Sequence, residues 1–172
     1  MPKGSTRPLV FVVRCAGAAT VAYELATRLG LPHVLWAAMS ALIVSQVNLH
    51  ETRSSFQGRL LGTLLGIGVA VLVGEGAAQI AVPVGLQIGL AVAICALVAH
   101  EFPKLRVAMW TCPIVLLSAH PSAPLLTTAF QRGCEVVLGC AVGWAFHWAA
   151  ERLEGCRALR ARRSASAGPC DA

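Results

Sequence analysis

From Gly58 onward, every fourth residue of one apolar stretch is small: Gly58, Gly62, Gly66, Ala70 and Gly74. On an α-helix these positions stack nearly one above another and form a ridge without side chains. In water such a helix is poor, because each interior glycine costs about 1 kcal/mol relative to alanine. In lipid the ridge lets another helix backbone come close and pack. The flanking residues are Leu, Ile and Val, which suit hydrocarbon. The stretch therefore predicts a transmembrane helix with a small contact face and one arginine, Arg59, near its start.

The rest of the chain obeys the same constraint. Hydrophobic residues make up 56% of the 172 positions and charged residues 13%, and mean hydropathy is +0.69. An ordinary soluble domain carries about 25% charged residues, so the expected fold is an all-α polytopic membrane protein. A span needs roughly 20 apolar residues. Six fit, at about 9–29, 33–47, 55–74, 79–99, 105–118 and 126–149, preceded by an N-terminal segment (1–8) and followed by a basic tail (150–172). The N-terminus imitates a signal peptide, but Arg14 interrupts the apolar run after five residues. An uncleaved first span is expected.

The net charge of +6 is spread at span ends rather than gathered in a groove for nucleic acid. Lys3, Arg7, Arg53, Arg59, Lys104, Arg106 and five tail arginines fall on one side of a six-span layout, and only Arg28 and Arg132 on the other. This bias puts both termini in the cytoplasm. The seven cysteines contain no Cys-x-x-Cys, and five of them lie in apolar runs. They read as small hydrophobes, with no metal and no cofactor implied.

The two halves echo each other. Trp36/Trp110, Phe56/Phe130 and Gln57/Gln131 are 74 apart, while Arg59/Arg132, Gly66/Gly139, Val69/Val142 and Ala70/Gly143 are 73 apart. Repeats of three spans must be inverted, an architecture that recurs in transporters with a site between the halves.

The order Gly30-Leu31-Pro32, Trp36-Ala37, Ser40-Ala41, Val44-x-Gln46, Thr52 and then Arg59-Leu60-Leu61-Gly62-Thr63-Leu64-Leu65-Gly66 resembles the FUSC family of fusaric acid resistance and aromatic acid exporter proteins. The similarity is strongest over residues 9–74 and continues more weakly to 149. It implies a six-helix module of the bacterial inner membrane that exports aromatic carboxylic acids on the proton gradient. Larger members add a cytosolic domain. This chain has one module and a short tail, which makes a homo-oligomer the expectation.

Arg59 matches the family motif. It is either a cation attracting a substrate carboxylate or a positive-inside anchor that snorkels to lipid phosphate. Glu135 takes the place of Gly62 in the second half, so the sixth span carries Glu135, Gly139, Gly143 and His147 down one face. An acid within a span defaults to function, here as a proton carrier; the alternative is an i,i+3 pair with Arg132. Gln57, Gln87 and Gln131, with Gln46, are the other candidates for an interior lining, whereas Trp36 and Trp110 read as interfacial belt residues. Gly85/Gly89 and Gly139/Gly143 are further packing glycines. Arg14 and Glu24 are too far apart on one helix to pair. No enzyme motif is present. The expected function is an exporter of small organic anions; the alternatives are an accessory scaffold packing through its glycine faces and a passive channel.

Overall fold

The computed structural model describes residues 7–45, 49–119 and 123–166, all its long elements being helical. The predicted lining residue Gln46, the connector residue His120 and both chain ends lie outside that set. The helices are α1 (Arg7–Arg28), α2 (Leu35–Val44), α3 (Leu49–Ala78), α4 (Val84–Glu101), α5 (Ala108–Ser118) and α6 (Leu125–Ser166), with a single 3₁₀ turn at Pro103–Leu105 before α5.

Among the described residues, four stretches are long and apolar enough to cross a membrane: Leu9–Arg28, Arg53–Ala78, Val84–Glu101 and Leu125–Leu153. The second and fifth predicted spans are helical over only 10 and 11 residues. At 1.5 Å per residue those helices reach about 15 Å, half of a hydrocarbon core near 30 Å. The chain is thus a helical membrane protein with four long apolar helices and two short ones. The last helix also runs past the expected end of its span, to Ser166.

Local chemistry sets the turns. Gly30 adopts φ +67°, and behind it Leu31 N–H donates to Ala26 O at 3.0 Å, closing α1 with a Schellman-type cap. The end of α3 repeats the device without glycine: Ala81 sits at φ 51°, while Val82 N–H reaches Ala77 O at 3.3 Å. Pro83 then opens α4.

Three apolar clusters hold the described helices, the smallest made by Val44 of α2 with Val136 and Cys140 of α6. Ala18, Ala22 and Ala26 of α1 meet Ala37 and Ala41 of α2 and Val142 of α6. Val69 and Ala70 of α3 meet Ala91 and Cys95 of α4 and Ala108, Cys112 and Val115 of α5. The buried residues are mostly small, whereas Leu, Val and Phe cover the outside. Lipid makes this distribution favourable: large apolar side chains gain nothing by leaving hydrocarbon, and close backbone approach holds the helices together.

The glycine ridge of α3 faces α5. A Cβ on Gly66 would lie 2.7 Å from Thr111 Cβ and 2.9 Å from Ala108 O, and one on Gly58 2.8 Å from Lys104 O. Gly74 abuts Leu116 and Leu125. The two helices therefore run in the same direction. In α6, Gly139 abuts Ala37 O and Ser40 of α2, and Gly143 abuts Ala41, again a parallel pair. α6 also packs against α3, in the opposite direction, with Gly133 touching Ile67 and Leu125 touching Gly74, so the ridge meets α5 along most of its length and α6 at its last glycine. Gly85 and Gly89 have nothing within 4 Å of a built Cβ and lie on the exposed face of α4, so they pack no helix of this chain.

Candidate functional site

Where α2, α3 and α6 meet, polar side chains collect in the middle of the apolar bundle. Arg59 is buried at the start of the small ridge of α3, next to Gly58, and its Nε–H donates to Ser40 Oγ of α2 at 3.3 Å. Cys140 of α6 lies within electrostatic reach of the same guanidinium. Glycines clear the path here. Gly58 and Gly62 let α3 approach the chain before α5, and Gly139 brings α6 onto α2.

Arg132 comes from α6. Its guanidinium lies over the indole of Trp36, 3.6 Å from the ring centroid, and is close enough to Arg59 for the two charges to repel. Glu135, one turn further along α6, is fully buried. Its Oε1 accepts the backbone N–H of His33 at 2.9 Å, and its Oε2 is 3.8 Å from Arg132 Nη1. The pair is the i,i+3 contact anticipated from sequence, but in the interior rather than at the surface.

The centre is not charge-balanced. Two guanidiniums face one carboxylate, and Glu135 is the only buried acid among the described residues. Arg59 Nη2, Arg132 Nε and Nη1, Thr63 Oγ1 and the acceptor Glu135 Oε2 are buried and make no hydrogen bond among the described residues. Buried donors left unmatched cost about 1–3 kcal/mol each, and more when charged. Buried N–H and O–H groups left unmatched in this way are the kind from which an anion accepts.

A way in exists. A cleft of about 230 Å³ lined by Ser54, Ser55, Gly58, Arg59, Lys104 and Val107 leads to Arg59. Its lining surface is mostly apolar, with Ile43 and Val107 beside the two serines, Arg59 and Lys104.

The other candidates lie elsewhere. Gln57 is exposed on the outer side of α3. Gln87 is half-buried and donates to Val82 O at 2.7 Å, tying down its own turn. Gln131 is half-buried beside Arg132. Trp110 is 55% exposed, as a belt residue would be, but Trp36 is turned inward onto Arg132. Sequence reading passed over Trp36, Ser40 and Thr63 as site residues. Thr63 could have been found, since it sits one turn after Arg59 in the Arg-x-x-Gly-Thr motif.

A second polar contact joins α1 to α6. Arg14 Nη1 lies 2.7 Å from His147 Nδ1, and His147 Nε2 lies 3.2 Å from Glu151 Oε1. A guanidinium can only donate, so Nδ1 accepts and the proton sits on Nε2, directed at Glu151. A neutral imidazole thus bridges a cation and an anion. This gives Arg14 a structural partner that no sequence spacing revealed.

Among curated proteins and among solved structures, no significant match is found. The family comparison is decisive: residues 18–146 match the family described as fusaric acid resistance protein-like. That region takes in the α2–α3–α6 centre and all but the first helical turns and the tail. The chain belongs to the fusaric acid resistance protein-like family.

Proposed function

We propose that this protein is a secondary transporter of the bacterial inner membrane that exports small organic anions, aromatic acids among them, driven by the proton gradient. One observation carries the reading: a buried centre with two guanidiniums, one carboxylate and several unmatched donors, reached by a cleft. Such a centre is stabilised by an anion and penalised without one. Family membership supports the same reading.

In this reading Arg59 receives the anion from the cleft, Arg132 shares it, and Glu135 carries the proton. The helices form two inverted three-helix repeats. Support comes from reciprocal packing: α3 joins the core of α4 and α5, and α6 joins that of α1 and α2. The parallel α3/α5 and α2/α6 pairs and the opposed α3/α6 pair fit the same two-fold relation. Six crossings with both termini cytoplasmic follow from that symmetry and the arginine bias. Short α2 and α5 are acceptable because their irregular flanks can be covered by protein rather than lipid. A homo-oligomer belongs to this reading, with the bare α4 face at Gly85 and Gly89 free for a second copy.

The test is uptake of radiolabelled benzoate into vesicles with and without the protein under an imposed pH gradient, the accumulation in protein-free vesicles being subtracted. Accumulation above equilibrium that collapses with a protonophore supports the transporter. Equilibration without accumulation makes the protein a channel, and no flux makes it a scaffold; either would overturn the reading.

A further inference from the structure

On the opposite side of Arg59's helix, α3 and α6 enclose a second cavity that the transport reading leaves unused. Its volume is about 760 Å³, and its lining includes Arg53, Phe56 and Gln57 of α3 and Trp144 and Trp148 of α6. We infer that this cleft binds an anionic phospholipid, with the acyl chain against the aromatic wall and the phosphate between Arg53 and Arg152.

The shape of the cleft favours a lipid over a dissolved solute. Trp144 and Trp148 are 45% and 48% exposed and stand one turn apart, and Ala141 and Ala145 between them are exposed too. These are the outer faces of two long apolar helices, where hydrocarbon chains lie. Unlike the central site, the lining offers no buried, unmatched donor to fix a small molecule. What it offers is an apolar furrow with a cation at one end. Arg53 lines that end, and Arg152 reaches it from the next turn of α6, its guanidinium 4.8 Å from the Trp148 centroid. Neither arginine is seen in an ion pair, both are exposed, and no acid lines the cleft.

Chemistry selects the headgroup. Tryptophans of this kind settle at headgroup depth, and a basic pocket between helices on the cytoplasmic side attracts anionic lipid at about 1 kcal/mol per arginine. A zwitterionic headgroup presents its own cation to the same two guanidiniums and loses that gain. One arginine then corresponds to a preference of about fivefold, and two to more.

Tryptophan fluorescence reads this directly. The intact protein is reconstituted in vesicles containing acyl-brominated phosphatidylglycerol or acyl-brominated phosphatidylcholine at equal mole fraction, in otherwise identical unbrominated lipid. Quenching at several-fold lower mole fraction of the glycerol lipid is expected. In R53Q/R152Q the difference should vanish while the helical circular dichroism stays unchanged. Equal quenching by both lipids in the unaltered protein would overturn the assignment without any variant. So would a preference that survives R53Q/R152Q. Protection of the tryptophans from both lipids would give the cleft to a second copy, and relief of quenching by added benzoate would give it to the transported acid. Each of those outcomes also rejects the phospholipid, and none bears on whether the central site moves anions.

Discussion

The guanidinium of Arg132 lies flat on the indole of Trp36, its carbon 3.6 Å from the ring centroid. One face of the cation is covered by the ring. A desolvated cation–π contact is worth about 2 kcal/mol, so Trp36→Ala should reduce anion affinity by about 30-fold. Trp36→Phe should retain part of it, and Trp110→Ala, at an exposed position, should change little. Isothermal titration with benzoate in detergent compares the three.

Arg59 and Glu135 should separate binding from coupling. Arg59→Ala removes a buried charge-assisted donor and should lower benzoate affinity by about 10- to 100-fold, as expected for about 1.5–3 kcal/mol. Arg59→Lys should fall between, since an ammonium keeps the charge but not the fork. Glu135→Gln should leave benzoate binding in place while uptake loses its response to the pH gradient. Gradient-driven accumulation in Glu135→Gln equal to the unaltered protein would exclude Glu135 as the proton carrier.

Glycines divide into two groups. Gly66→Ala and Gly139→Ala drive a methyl into Ala108 O and Ala37 O respectively. Overpacking of this kind costs about 1–3 kcal/mol, and tryptophan at Gly62 or Gly66 should prevent folding altogether. Gly85→Ala and Gly89→Ala meet open space and should be neutral or stabilising by up to about 1 kcal/mol each through helix propensity. Thermal melting in detergent ranks them; loss of oligomer from Gly89→Ala without loss of fold would locate the second copy.

Ala81 holds a left-handed backbone at φ 51°, a conformation that costs a non-glycine residue about 1 kcal/mol. Ala81→Gly should raise stability by roughly that amount, and Gly30→Ala should lower it similarly. Ala81 lies at a helix end away from the centre, so benzoate binding should not change in Ala81→Gly.

His147 bridges Arg14 and Glu151, and its replacement tests how α1 is held to α6. His147→Leu should destabilise by about 1.5–3 kcal/mol, the worth of hydrogen bonds to charged groups. His147→Gln can still accept from Arg14 and donate to Glu151, and should recover part of the loss. Equal melting of the two variants would show that the bridge contributes shape rather than hydrogen bonding.

Hydropathy and glycine spacing by themselves determined that this chain is helical and lives in a membrane. Both are properties of single helices: an apolar run must satisfy its backbone internally, and a four-residue period puts small residues on one face. The same local information marked Arg59 and Glu135, since a charge in an apolar run is conspicuous without coordinates. Tertiary structure alone decided what those residues meet. The α3 ridge meets α5 at Gly66, where Ala108 and Thr111 let the backbones touch, and α6 at Gly74. Trp36 meets Arg132 across two helices, and Arg14 found His147 across 133 residues of chain. Helix lengths were misjudged at α2 and α5 because hydropathy measures how apolar a segment is, not where its hydrogen-bonded turns stop. The excess of guanidinium over carboxylate at the centre was likewise invisible, because it depends on which of the chain's scattered charges share one buried volume.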